Sequence, residues 1–322
     1  MEAIGGYLEL ELCNGVHFHK DALRLNTARN CFEYVLRARQ YTKVYLPYYT
    51  CDALLEPVRK LGVQYEFYHI NESLEPVSLP SLQQNEVFLY TNYFGLKSDC
   101  VRRLAEKYKN QLIVDNAQAF YALPIENIDT FYSARKFFGV PDGAYLYTDC
   151  HLNADYSIDR DFSYTRMSHL LKRIDLGAEE GYSDFRAHES ELCNQNIQWM
   201  SKLTEQIMQG IDYELVSRKR RENYQKMDAF LAVSNQFELS LPNDAVPMVY
   251  PYMTDNKSLK QKLIDNKIFV PTYWPNVLEW CDNEWEMELV QRMIFIPIDQ
   301  RYEEEEMKRI INIILMKTNR FH

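Results

Sequence analysis

Apolar side chains recur along the first half of the chain in two alternating rhythms. Over residues 27–39 they fall at helical spacing, at Cys31, Phe32, Tyr34, Val35 and Leu36, behind Thr27 as the N-cap. Residues 43–46 are a short apolar run that stops at Pro47 and predicts a strand. Residues 54–61 return to helical spacing, 64–68 and 86–90 read as strands, 98–108 as a helix, and 111–114 as a strand running into Asp115. Two more short strands, 130–132 and 144–147, are joined by a connection that holds Lys136. Strands alternating with helices over short connections predict βαβ units and a mainly parallel sheet. Ligands of such sheets sit beyond the carboxyl ends of the strands, where Asn92 and Asp115 fall.

The second half changes rhythm. Residues 194–233 are mostly helical and carry the basic run Arg218-Lys219-Arg220-Arg221, which reads as a solvated face. After Pro242 come short strands at 248–252, 267–270 and 293–296. A helix at 258–266 separates the first two, and a helix at 303–317 closes the chain. The fold class is α/β: a large domain with a mainly parallel central sheet over 1–234, including the long helical connection, then a smaller α+β domain over 235–322.

Composition narrows the chemistry. Among 322 residues there are only 10 glycines, against 24 tyrosines and 16 phenylalanines, and no G-x-G occurs. The dinucleotide fingerprint and Gly-rich phosphate loops are therefore absent, and any phosphate must be held another way. The net charge of −10 argues against a nucleic-acid partner. No apolar run approaches a membrane span, and the start Met-Glu-Ala-Ile-Gly-Gly has neither basic nor apolar signal character, so a cytoplasmic chain is expected. The seven cysteines are scattered without a C-x-x-C, which reads as reduced, mostly buried thiols. His17 and His19, on one face of a possible strand, lack a third ligand and read as a packed or surface pair rather than a metal site.

Three segments carry candidate chemistry. In Ile113-Val114-Asp115-Asn116-Ala117-Gln118 a buried-looking strand ends in a carboxylate, which must be paired or neutralised. A protonated cofactor nitrogen is one partner; capping of the next turn is the simpler role. In Ser133-Ala134-Arg135-Lys136-Phe137-Phe138 a lysine lies beside two phenylalanines, where burial would lower its pKa and make the amine a nucleophile. A snorkelling loop lysine is the alternative. In Asn26-Thr27-Ala28-Arg29-Asn30 a helix start offers free amides and a dipole to an anion, with Arg29 as an added contact, or else is an ordinary cap.

Taken in order, these segments resemble the DegT/DnrJ/StrS-type sugar aminotransferase family of fold-type I pyridoxal-phosphate enzymes. The resembling stretches are 25–36, 46–57 (LPYYTCDALLEP), 92–95 (NYFG), 114–119 (VDNAQA), 131–146 (FYSARKFFGVPDGAYL) and 218–224 (RKRRENY). The resemblance implies a large transferase-like domain and pyridoxal 5′-phosphate as cofactor. Lys136 would hold the cofactor as a Schiff base and then carry the proton between Cα and C4′. Asp115 would pair with the pyridine nitrogen, and Gln118 would lie near the ring hydroxyl. Thr27 and Ala28 would give amides to the phosphate and Ser133 its hydroxyl, with Arg29, ahead of Arg135, as a further phosphate or substrate contact. Cys51 stands where the family often has an aromatic residue over the ring, and Asp184-Phe185-Arg186 stands at a stretch that reaches the partner subunit. The implied reaction moves an amino group from an amino acid, glutamate first, to a keto group of a nucleotide-linked sugar, in a homodimer with small-molecule donor and acceptor. Dehydration on the same scaffold and a non-catalytic binding or regulatory protein are the alternatives. Tyr93, Phe94, Tyr273 and Trp274 could face substrate or pack in the core, and Arg301 could meet a carboxylate or form a structural ion pair.

Overall fold

The computed structural model describes residues 4–153 and 155–316. Seven strands form one sheet: β1 (Leu23–Leu25), β2 (Lys43–Pro47), β3 (Gln64–Tyr68), β4 (Glu86–Thr91), β5 (Leu112–Asn116), β6 (Asp129–Ser133) and β7 (Ala144–Tyr147). Their spatial order is β1-β7-β6-β5-β4-β2-β3. The β3-β2-β4-β5-β6 block is parallel throughout, and β7 runs against both its neighbours.

Side chains alternate along each strand, and the alternation sorts residue types between the two faces. Val44, Leu46, Val87, Leu89, Ile113, Phe131, Ala144 and Leu146 point to one core, which α1 (Ala28–Arg39) and α2 (Leu55–Leu61) close with Cys31, Phe32, Val35, Leu55 and Val58. Tyr45, Phe88, Tyr90, Val114, Tyr132 and Tyr145 point to the other, a face rich in tyrosine. There α3 (Ser98–Tyr108) packs through Cys100, Val101, Leu104 and Ala105. Much of the unusual tyrosine count is thus interior, with several hydroxyls spent on carbonyls, as in Tyr68 on Leu89 and Tyr90 on Leu74.

Beyond the sheet come α4 (Ser168–Asp175), α5 (Tyr182–Glu191), α6 (Lys202–Gln209) and the long α7 (Tyr213–Leu231). The C-terminal part pairs β8 (Val249–Met253) with β9 (Met293–Pro297) antiparallel. Around this pair lie α8 (Leu259–Asp265), α9 (Val277–Trp280), α10 (Glu284–Arg292) and α11 (Glu304–Leu315). This part shares one hydrophobic core with the tyrosine-rich sheet face, through Phe295, Ile296, Met307 and Tyr250.

Several expectations need correction. Residues 267–270 form no strand. Lys267 has φ +57°, and the Ile268 amide returns to the Leu263 carbonyl at 2.9 Å, so the segment closes α8. Ile268 and Val270 are buried between more exposed neighbours, which imitates strand alternation without a partner. His17 and His19 lie in an irregular turn, not a strand. They are indeed packed: His17 Nδ1 meets Tyr145 Oη at 2.8 Å, and His19 Nε2 meets the Phe120 carbonyl at 2.7 Å. Residues 194–201 are not helical: Asn194 closes a turn with φ +55°, and beyond it Met200 N and Trp199 align against Arg24 and Leu25 of β1. Residue 317, the expected end of the closing helix, lies outside the described residues, as do residues 1–3. No cysteine is in a disulfide; Cys31, Cys100 and Cys281 are buried, Cys51 and Cys150 half-buried, and Cys13 and Cys193 exposed.

The basic run is not a solvated face. Arg220 is buried and donates to the carbonyls of Met248 (2.9 Å) and Phe137 (3.3 Å), and its guanidinium lies 4.5 Å from the Phe137 ring centre. Arg221 donates to the Ala245 and Pro242 carbonyls. Only Arg218 of the four is an exposed helix-surface charge, pairing with Glu222 at 3.8 Å; Lys219 pairs with Glu303.

Candidate active site

The register of the sheet gathers three chain segments at one edge. Leu25 at the end of β1 and Ser133 at the end of β6 are both opposite Ala144 of β7. Thr27 follows directly as N-cap of α1, in extended conformation, its hydroxyl accepting from the Asn30 amide at 3.2 Å. The first turn of α1 holds no acidic residue, so the helix dipole there has no carboxylate of its own helix to answer it. The Gly143 amide donates to the Asn26 carbonyl at 2.6 Å, tying the helix start to the connection that carries Lys136. Gly143 has φ +110°, and a Cβ there would stand 2.8 Å from Thr204 Cγ2, so only glycine fits.

Asp115 lies on β5 between Thr91 of β4 and Phe131 of β6. It is buried and accepts one backbone bond, from Ala117 N at 2.8 Å. Burial pushes its carboxyl up to about 6, against the opposing pull of that amide and of the Lys136 charge. Gln118 is buried and its Oε1 accepts from the Phe94 amide at 3.0 Å, which supports the turn where Phe94 takes φ +57°. Tyr93 and Phe94 are core residues.

Lys136 ends the single turn Ala134–Lys136 that follows Ser133. Its side chain is exposed at a cleft, while surrounding protein crowds its amine. Desolvation is the main cause that lowers its amine pKa; Arg135 and Arg29 add to the lowering, and Cys51 and Asp115 oppose it. Burial in turn raises the Cys51 thiol, and the Lys136 charge pulls it back. Lys136, Asp115 and Cys51 therefore form one electrostatic group. The loop that bears Cys51 is fixed by Trp280 Nε1 on the Tyr48 carbonyl (3.0 Å), Asn276 Nδ2 on the Thr50 carbonyl (2.9 Å) and Tyr93 Oη on the Tyr49 carbonyl (2.9 Å).

The arginines behave differently from their sequence reading. Arg29 is committed to Glu56 of α2 at 2.6 Å, so its charge is already answered inside the protein. Arg135 pairs with Glu189 of α5 and is pulled down to about 10 by desolvation. Both it and Lys136 line a cleft of about 660 Å³, whose walls also include His169, Arg173, Arg220 and Arg301. Arg301 is held by Asp299 at 2.6 and 2.9 Å, the structural ion pair that is the simpler reading of this residue. Asp184 sits on α5 and binds Ser168 (2.5 Å) and Lys172 (2.9 Å). Trp274 packs edge-on against Tyr49 at 4.7 Å, and Tyr273 lies between Phe295 of β9 (4.2 Å) and Phe94 after β4 (6.5 Å), so both are joints between the C-terminal part and the sheet.

Arg220 and His169 are cleft residues that sequence reasoning missed. For Arg220 a signal exists: Val216, Arg220, Asn223, Tyr224, Met227 and Leu231 form one buried stripe on α7 at helical spacing. Asp142, in the motif after Lys136, is a scaffold residue. It is fully buried and accepts from Ser201 N (2.8 Å), Ser201 Oγ (2.7 Å) and Thr204 Oγ1, anchoring the start of α6.

Among the described residues no helix is long and apolar enough to cross a membrane. No protein-family model and no curated protein sequence matches the chain. Solved structures do. A DegT DnrJ EryC1 StrS aminotransferase from Brucella abortus superposes with a TM-score of 0.61 at 16% identity, over 91% of this chain and 84% of that one. The sugar aminotransferase CalS13 from Micromonospora echinospora gives 0.60 at 13%, over 91% and 86%. The PLP-form of Spr1654 from Streptococcus pneumoniae gives 0.60 at 13%, over 90% and 85%. At such identities the likeness is one of fold, and it extends over nearly the whole chain: this protein has the α/β fold, mainly parallel in its central sheet, in which those aminotransferases are built.

Proposed function

We propose that the protein is a pyridoxal-5′-phosphate-dependent aminotransferase that moves an amino group from an amino acid, glutamate first, to a keto group of a nucleotide-linked sugar. The observation that carries this reading is the convergence of Lys136 and Asp115: a crowded amine open to a cleft, in electrostatic reach of a buried carboxylate that has a single backbone donor. The aminotransferase fold, the PLP-form of one similar structure and the sugar aminotransferase of another support the cofactor and substrate class.

The residues fit the cofactor. A buried carboxylate with no full positive partner is costly, and a protonated ring nitrogen answers it. The start of α1 offers helix-terminal amides at Ala28 and Arg29 with no acidic residue in that turn, and Ser133 adds a hydroxyl near the same edge. The phosphate then relies on amides, since the Arg29 guanidinium is held by Glu56. Bound, the cofactor supplies an electron sink for charge developing at the amino acid Cα. Asp115 keeps the sink charged. Lys136 is the covalent anchor and the proton carrier: its lowered pKa leaves more free amine to take the proton from Cα and return it at C4′. Cys51 supplies a polarisable sulfur beside Lys136, where the related family often has a ring. With Arg135 and Arg301 answered by Glu189 and Asp299, Arg173 and Arg220, which pair with no carboxylate among the described residues, leave the cleft wall cationic and suited to an anionic substrate. Exposed apolar side chains at Ile174 and Tyr182 in this cleft, and at Phe162 and Tyr164 earlier in the same stretch of chain, support a homodimer across it.

The decisive experiment is spectroscopic. Purified protein with pyridoxal phosphate should show a visible absorbance band, and borohydride should fix the cofactor to the peptide containing Lys136. Lys136→Ala should show neither. Labelled glutamate nitrogen should then appear in the product with a keto-sugar nucleotide. A wild-type protein with no band would end the aminotransferase reading.

A further inference from the structure

We infer a divalent-cation site, zinc by the chemistry of its donors, formed by His69 Nδ1, Cys281 Sγ and a Glu286 carboxylate oxygen between the end of β3 and the C-terminal helices. The three donor atoms lie within 4.8 Å of one another. His69 Nδ1 is 2.5 Å from Glu286 Oε2, and Cys281 Sγ is 3.5 Å from the same oxygen. Around a tetrahedral zinc with bonds of about 2.0–2.3 Å, neighbouring donors stand about 3.3–3.8 Å apart. The sulfur–oxygen spacing already meets this, and the imidazole and carboxylate need to part by only about 1 Å.

Charge and surroundings fit as well. A thiolate, a carboxylate and a neutral imidazole carry two negative charges, so a dication leaves the site neutral, and nitrogen, sulfur and oxygen donors together suit zinc. The donors are held by their neighbours. Ile70 N donates to Glu286 Oε1 at 3.3 Å, Asn283 caps α10 and accepts from Glu286 N at 3.2 Å, and the Tyr48 ring stacks on His69 at 4.4 Å. Glu286 is fully buried and Cys281 nearly so, while His69 remains 35% exposed, which leaves a path for the ion from solvent. On binding, the thiol proton and the proton between His69 and Glu286 leave to solvent; no electron moves. Trp280 and Asn276, which clamp the Tyr48 and Thr50 carbonyls, belong to the same short segment as Cys281. The ion would fasten that segment, and with it the loop bearing Cys51, to the end of β3.

The test titrates the full chain, freed of metal by a chelator, with Co²⁺ as probe and Zn²⁺ as competitor. The expected result is a thiolate-to-cobalt charge-transfer band that saturates near one equivalent and is displaced by Zn²⁺. Cys281→Ser should abolish the band, and replacing the exposed Cys13 and Cys193 together by serine should leave it. Should Cys281→Ser not fold, His69→Ala, at a half-exposed position, should weaken Co²⁺ binding by about tenfold or more. Zn²⁺ should also protect Cys281 from alkylation, read by peptide mass spectrometry. No band in the wild type, or a band that survives Cys281→Ser or vanishes with Cys13 and Cys193, overturns the site. None of these readouts depends on pyridoxal phosphate.

Discussion

Asp115 is a single residue whose environment dictates a measurable pH dependence. Its carboxyl is raised from 3.8 to about 6, chiefly by burial. In the cofactor-free chain the folded state therefore holds this proton more tightly than the unfolded state does. Its contribution is most favourable below about pH 4, falls as the pH rises toward 6, and stays level above that. Two pH units correspond to about 3 kcal/mol at most. Asp115→Asn removes the ionisation. The variant should match the wild type near pH 4 and exceed it by about 1–3 kcal/mol at pH 7 in urea unfolding, while binding pyridoxal phosphate more weakly. A stability difference that does not change with pH would show that Asp115 is already answered by another group. At this scale the sequence announces residue type and order, which single out Asp115, Gln118, Ser133 and Lys136 as candidates because their chemistry and spacing are local. The fate of Arg29 is not, since Glu56 comes 27 residues later and meets it only when α2 packs beside α1.

Elements were legible where burial is periodic and local. Strands β2 to β7 and helices α1, α2 and α3 fall within a residue or two of their expected bounds because one face of each is apolar at a fixed spacing, whereas β1, three residues long, is too short to show a period and is not an expected strand. Residues 267–270 failed for the converse reason: alternation of burial there comes from a chain crossing the core, with no neighbouring strand to pair it. The basic run failed because four like charges mask a helix face. Arg220 shares that face with Val216, Met227 and Leu231, whereas Arg218 does not. Arg220→Ala should cost about 3 kcal/mol or more, because several backbone carbonyls lose their donor in the interior. Arg218→Ala should stay within about 0.5 kcal/mol, and equal effects would contradict the burial assignment. Gly143 gives a parallel contrast with Gly62. Both have positive φ, but a Cβ at Gly62 meets nothing within 4 Å, while at Gly143 it meets Thr204 at 2.8 Å. Gly62→Ala should cost about 1 kcal/mol from backbone strain alone. Gly143→Ala should cost about 2–4 kcal/mol, because it adds overpacking to the strain. It should also lower activity, since Gly143 N holds the start of α1.

At the scale of the whole molecule, charge and apolar surface point to the same place. The chain carries a net charge of −10, yet arginines gather around the cleft at Lys136. The 162–182 stretch, which lines that cleft through Ile174 and Tyr182, exposes Phe162, Tyr164, Leu171, Ile174, Leu176 and Tyr182, with Ile174 at 82%. Six large apolar side chains over so short a stretch form more surface than a lone globular chain usually leaves to water. A second copy seated there would cover them, close the cleft and exclude water from around Lys136. Light scattering coupled to size exclusion should therefore return twice the 38.3 kDa chain mass at micromolar concentration. Ile174→Asp combined with Tyr164→Asp puts two charges into the buried surface and should halve that mass, with little change in monomer unfolding because neither side chain is in the core. The same variant should bind pyridoxal phosphate at Lys136 yet lose most of its transfer rate. A wild type that stays monomeric, or a charged variant that stays dimeric, would remove this face as the interface while leaving the Lys136–Asp115 convergence untouched.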